Sequence, residues 1–137
     1  MTATTALPDQ VRVGLIALRI IPALLMVAHG VFRIYSGGVA PFGEFLDSKG
    51  LPLGLAVAWT ISLVEVVGGL TVVAGRLVRP LSLWFALELT MGIILVHAPS
   101  GWFVVGGGRN GMEFSVLLIS CHLINALIAP AIRVARS

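Results

Sequence analysis

Apolar positions form four long runs along the chain, at about residues 11–34, 53–75, 80–98 and 112–132. Each approaches the ~20 residues that a ~30 Å hydrocarbon core requires. The pattern predicts four spanning helices, an all-α, four-transmembrane-helix bundle. Between the runs lie Ser36-Gly37-Gly38, Gly50-Leu51-Pro52, Pro99-Ser100-Gly101 and Gly106-Gly107-Gly108. Residues 75–80 leave room only for a tight helix–helix turn. Segment 39–49 has a different pattern. Phe42, Phe45 and Leu46 recur at helical spacing, with Glu44, Asp47 and Lys49 between them. This predicts a short amphipathic helix, interfacial or re-entrant, with an ordinary connecting loop as the alternative.

Composition supports the membrane reading. Of 137 residues, 58% are hydrophobic and 11% charged, whereas a soluble domain carries about 25% charged residues. Disorder is excluded by the same balance. One membrane domain, 1–137, is expected. The net charge is +3, but the basic residues are scattered beside apolar runs, which points to membrane flanks and away from nucleic acid. Arg12, Arg76, Arg79, Arg133 and Arg136 fall on one side, and Arg33, Lys49 and Arg109 on the other. That five-to-three bias predicts cytoplasmic N- and C-termini. The first ten residues lack the basic opening of a signal peptide, so the first run is expected to remain as a span. Cys121 is the sole cysteine. It excludes a Cys-x-x-Cys centre within the chain and reads as a small buried core residue.

The informative residues are ionisable ones inside apolar runs: Arg19, His29, Glu65, Glu88, His97, Glu113 and His122. A charge at the bilayer centre costs at least ~2.5–3.5 kcal/mol, so these groups should face inward and pair. At 1.5 Å per residue, Glu65, Glu88 and His122 lie near mid-span, and Arg19 roughly 5 Å to the cytoplasmic side. His29, His97 and Glu113 lie on the order of 10–13 Å outward, within reach of Arg33 and Arg109. Ser115, His122 and Asn125 share a face of the last helix, and Ser62, Glu65, Gly68 and Gly69 form a small, polar stripe on the second. Two pairs conflict with a single site. His97 is nine residues from Glu88, and His122 nine from Glu113, which is half a rotation in an α-helix.

Structural roles compete with functional ones. Arg19 is expected to pair with Glu65 or Glu88. Glu113 suits the first turn of a helix, His97 and Arg109 suit the headgroup region, and Trp102 and Phe103 suit interface anchors. Glu65, in its small-residue stripe, is the leading functional candidate. No phosphate-binding glycine loop or Ser/His/Asp set has a recognisable context. His29, His97 and His122 could ligate haem, and His29, His97 and Glu113 zinc, by residue type alone; spacing supports neither. Val27-Ala28-His29 and Val96-His97-Ala98 echo each other weakly.

Together these features resemble the DoxX family of small four-helix membrane proteins, within the DoxD-like group. The likeness is carried by Arg19, Ala28-His29-Gly30, Phe42-Gly43-Glu44-Phe45-Leu46, Gly50-Leu51-Pro52 and Val64-Glu65-Val66-Val67-Gly68-Gly69. It continues through Gly75-Arg76, Val96-His97, Gly101-Trp102-Phe103 and Gly111-Met112-Glu113. The resemblance implies a multi-pass protein of the plasma membrane. It also implies a subunit of a redox, quinone-linked system, with no intrinsic cofactor beyond quinone and a soluble or membrane redox partner. The family assigns no catalytic residues to carry over; from the ionisable residues within the spans, Glu65, His29 and Glu88 are the catalytic candidates. Arg19, His97, Glu113 and His122 are the substrate-binding candidates, and no metal site is assigned. Two other expectations stand beside it: a non-catalytic anchor for a partner protein, and an enzyme or carrier for a lipid-soluble small molecule. The glycine-rich faces would also suit a homodimer.

Overall fold

A computed structural model describes the backbone of residues 7–134 and the side chains of residues 7–129. Arg136 and the side chain of Arg133, two of the basic flank residues, lie outside the described residues. The described chain folds into helices α1 (Asp9–Tyr35), α2 (Val39–Ser48), α3 (Gly54–Val73), α4 (Val78–Ser100) and α5 (Glu113–Val134). Helices α1, α3 and α4 are long and apolar enough to cross a membrane. In α5 the apolar stretch Glu113–Ala129 is shorter. The 39–49 segment is helical, and it buries Val39, Gly43 and Leu46.

Local chemistry sets the helix boundaries. Leu53 and Leu77 adopt left-handed backbone angles (φ 62° and 47°) immediately before α3 and α4, so each helix starts from a sharp reversal. The Asp47 carboxylate accepts the Gly54 N–H at 2.9 Å, satisfying a donor that the first turn of α3 leaves unpaired. Pro22 sits inside α1 and cannot donate to the Leu18 carbonyl four residues back. Asn125 of α5, itself buried, donates its Nδ2 to that carbonyl at 3.1 Å. A neighbouring helix thus satisfies the acceptor that proline frees, as a low-dielectric environment demands.

Packing follows two antiparallel pairs, α1 with α3 and α4 with α5, bridged by α1–α5 contacts. Glycines set the α1–α3 spacing. A Cβ on Gly30 would stand 2.7 Å from the Ser62 carbonyl oxygen and 2.9 Å from Glu65 Cβ. Gly69 lies equally tight against Val27 and Ala23. Gly68 instead faces Leu81 and Phe85 of α4, so the small-residue stripe serves two neighbours. One apolar cluster joins Ala23, Met26, Val72 and Phe85. A second joins Val39, Leu46 and Ala58, with Leu95 of α4 packed on it. Helices α3 and α4 touch mainly near the turn that connects them, and diverge beyond it.

Candidate functional site

Between the two apolar clusters, where α3 and α4 diverge, lies a cavity of about 570 Å³. That volume is within the ~300–1,000 Å³ usual for small-molecule sites. All five helices contribute: Met26, His29 and Arg33 from α1, Phe42 and Phe45 from α2, Thr60 and Glu65 from α3, Trp84, Glu88 and His97 from α4, and Ser115 from α5. Most of the remaining lining is aliphatic.

Its polar end is built around Glu65, which is almost wholly buried. Arg33, in the last turn of α1, grips it with both guanidinium nitrogens. Nη1 donates to Oε2, and Nη2 donates to Oε1 at 3.2 Å. Arg33 Nη1 also donates to Ser62 Oγ at 3.2 Å, and the guanidinium lies 4.6 Å from the centre of the Phe42 ring. Such a fork is the geometry in which arginine holds a carboxylate most firmly. Gly30 makes it possible. One turn before Arg33, it lets α1 approach close enough for that side chain to reach across. Glu88 approaches from α4 closely enough for its carboxyl group to interact with that of Glu65, and accepts the Trp84 indole N–H at 3.2 Å.

The pairing differs from expectation. Arg19 bonds neither Glu65 nor Glu88 in the hydrogen-bond network. Its Nη2 donates to the Val73 carbonyl at 3.4 Å, and its guanidinium rests against Gly75. The antiparallel register explains this. Gly30 opposes Glu65, so Arg19 falls opposite the far end of α3, about 15 Å along the axis from Glu65 at 1.5 Å per residue. Arg33, expected to serve the outer layer, takes the role assigned to Arg19.

His97 resolves the half-rotation conflict. Both α3 and α4 contain a π-helical turn, Val64–Gly68 around Glu65 and Ile93–His97 ending in His97. A π turn absorbs an extra residue. The nine-residue step from Glu88 then behaves as eight, or about 80° of rotation at 100° per residue. Both side chains therefore line the cavity. His97 Nδ1 donates to the Asn110 carbonyl at 2.8 Å, tying the cavity wall to the 101–112 connection.

His29, Glu65, Glu88 and His97 thus share one cavity, whereas Arg19, Glu113 and His122 lie elsewhere. Glu113 Oε1 accepts the Val104 N–H at 3.0 Å, pinning the same connection to the start of α5. His122 is fully buried with its ring centre 5.2 Å from that of Phe85. Neither of its ring nitrogens has a hydrogen-bond partner among the described residues. Cys121, expected in the core, is only half-buried. No three His, Cys, Asp or Glu side chains converge to hold a metal ion among the described residues.

A helical membrane bundle with an apolar cavity ending in an arginine–dicarboxylate cluster is the class this fold defines. Residues 14–98 match the DoxX family, and the chain belongs to it. That match spans every helix lining the cavity except α5. The chain is also 30% identical over 111 residues to Putative oxidoreductase CatD of Bacillus subtilis (strain 168), covering 81% of this chain and 77% of that one. No solved structure matches.

Proposed function

We propose that the protein is a membrane subunit of a quinone-linked redox system of the plasma membrane, with its cavity receiving the ring head group. The carrying observation is the 570 Å³ apolar cavity ending at Arg33, Glu65 and Glu88. A ring compound needs apolar walls for its body and polar atoms for its oxygens. Phe42, Phe45 and Trp84 supply ring faces, and Glu65, Glu88, His29 and His97 supply polar contacts. Quinone reduction and quinol oxidation move protons together with electrons. With one proton between Glu65 and Glu88, the cluster with Arg33 carries no net charge, and a proton gained or lost there is balanced by the one that the ring oxygen gives up or takes. A redox partner brings or takes the electrons. The name of the Bacillus subtilis relative agrees with a redox setting. The basic flanks support a reading in which both termini are cytoplasmic and the cavity lies in the outer half of the bundle.

Native mass spectrometry of protein extracted in mild detergent tests this, followed by solvent extraction of bound compounds. A quinone retained by the wild type and lost in Glu88→Gln and His29→Ala is the expected result. An empty bundle carrying a stoichiometric protein partner would replace this reading with that of an anchor.

A further inference from the structure

The polar groups of the cavity are unequally committed. Arg33 directs both terminal nitrogens to Glu65 and Ser62, and Phe42 covers its face. The Ser62 hydroxyl donates to the Ala58 carbonyl, and the Thr60 hydroxyl to the Ala56 carbonyl. Trp84 directs its N–H to Glu88. His97 directs Nδ1–H to the Asn110 carbonyl, which leaves Nε2 an acceptor in the neutral ring. The donors are therefore largely satisfied within the protein. Acceptor positions remain on Glu65 and Glu88: even with one proton held between them, the two carboxyl groups have more lone-pair sites than the protein's donors fill. His29 and Ser115 can act either way.

The route to this site is also constrained. At one end Gly43 and Gly54 bring α2 and α3 into backbone contact, and Asp47 ties the two helices together. Leu95 closes over the Val39, Leu46 and Ala58 cluster at the same end. The Met26 and Phe85 cluster fills the opposite end. Exposed lining residues occur along two facing edges: Leu53 just before α3 with Ala56 and Thr60 on it, and Trp84, Leu87 and Met91 on α4. In a bilayer, that exposed side is the one open to lipid.

Resting on the ring-head-group reading above, we propose that the cavity selects an uncharged, lipid-soluble hydroxyl compound, a phenol or quinol, and admits it sideways between α3 and α4. A phenolic O–H meets the acceptors of Glu88 and Glu65. An ether or carbonyl oxygen finds only His29 and Ser115 as uncommitted donors, the others being bonded within the protein. An anion meets two carboxyl groups beside a guanidinium already bonded to one of them. In a quinone-linked reaction the reduced form is thus the form held more tightly.

Saturable binding of 4-nonylphenol, 4-nonylanisole and 4-nonylbenzoate to the protein in lipid nanodiscs, measured against empty nanodiscs, tests this. The three share a tail and differ at the head group. The phenol is expected to bind about tenfold more tightly than the anisole, as one net hydrogen bond to the carboxyl pair would give. The benzoate is expected not to saturate. In Glu88→Gln the preference for phenol falls to about threefold or less, because the amide brings N–H donors that the anisole oxygen can use. In Ala56→Trp, on the exposed edge, both neutral probes bind more weakly. Equal binding of phenol and anisole, or tighter binding of benzoate, overturns the donor rule while leaving a ligand cavity in place. Unchanged binding in Ala56→Trp overturns the lateral route. Absence of saturable binding by all three overturns both the proposal and the ring-head-group reading beneath it.

Discussion

Removing one partner of the Arg33–Glu65 pair should cost more than removing both. Glu65 is 1% exposed, and the Arg33 side chain 18%, so neither charge regains much water when its partner is lost. Arg33→Met leaves a carboxylate buried beside Glu88, and Glu65→Met strands a guanidinium next to Phe42. Breaking a buried pair from one side costs about 3–5 kcal/mol, whereas replacing the whole pair with apolar residues is often neutral or stabilising. The lower end, about 3 kcal/mol, suits a membrane bundle, whose unfolded state also finds partners for polar groups. That is about a hundredfold shift in the folded fraction. The double variant Arg33→Met/Glu65→Met should recover most of the loss, to within about 1 kcal/mol of wild type. Reversible unfolding in mixed micelles, run as a double-mutant cycle, measures each term. Additive losses, with the double variant worst, would show that the two charges do not depend on each other and would refute the pairing.

Three further outcomes follow from the packing. Gly30→Ala forces a methyl against the Ser62 carbonyl and Glu65 Cβ, and should cost about 1–3 kcal/mol as an overpacked contact; thermal unfolding in detergent reads it. Asn125→Leu strands the Leu18 carbonyl and should cost about 1–3 kcal/mol. Adding Pro22→Ala restores a backbone donor to that carbonyl and should recover stability, which unfolding of the single and double variants would compare. Leu77→Gly relieves a left-handed backbone at φ 47°, and should gain about 0.5–1 kcal/mol after the added chain entropy is counted; an unchanged or lowered midpoint would contradict it.

The helices were legible in the sequence because lipid imposes one dominant constraint, a long apolar run, and the observed starts lie within a few residues of the expected ones. The 39–49 helix was legible from Phe42, Phe45 and Leu46, although Leu46 alone of these is fully buried. The pairing of charges was not legible. It depends on the axial register of α1 against α3, and Gly30 fixes that register through a contact 35 residues away in sequence (30 to 65). Depth counted from run ends placed Arg19 too near Glu65 and Arg33 too far. The joint presence of Glu88 and His97 in one cavity was hidden for a different reason. An α-helical wheel separates them by half a rotation, and only the π turn at Ile93–His97 brings both to one side. Gly92, open to added bulk, precedes that turn, but a glycine inside an apolar run does not by itself announce a π turn. Pro22 lies within the first apolar run, but Asn125, which bonds the carbonyl it frees, lies on the last helix, and no local pattern links them.

In the proposed function, the cavity between α3 and α4 receives a lipid-soluble ring. Photolabelling with an azido-quinone in native membranes, followed by peptide mass spectrometry, tests it most directly. Label is predicted on cavity-lining residues near Thr60 and Met91, displaced by excess unlabelled quinone and reduced in Ala56→Trp. Label confined to outward residues such as Ile21 or Phe32, unaffected by competitor or by Ala56→Trp, would contradict the account.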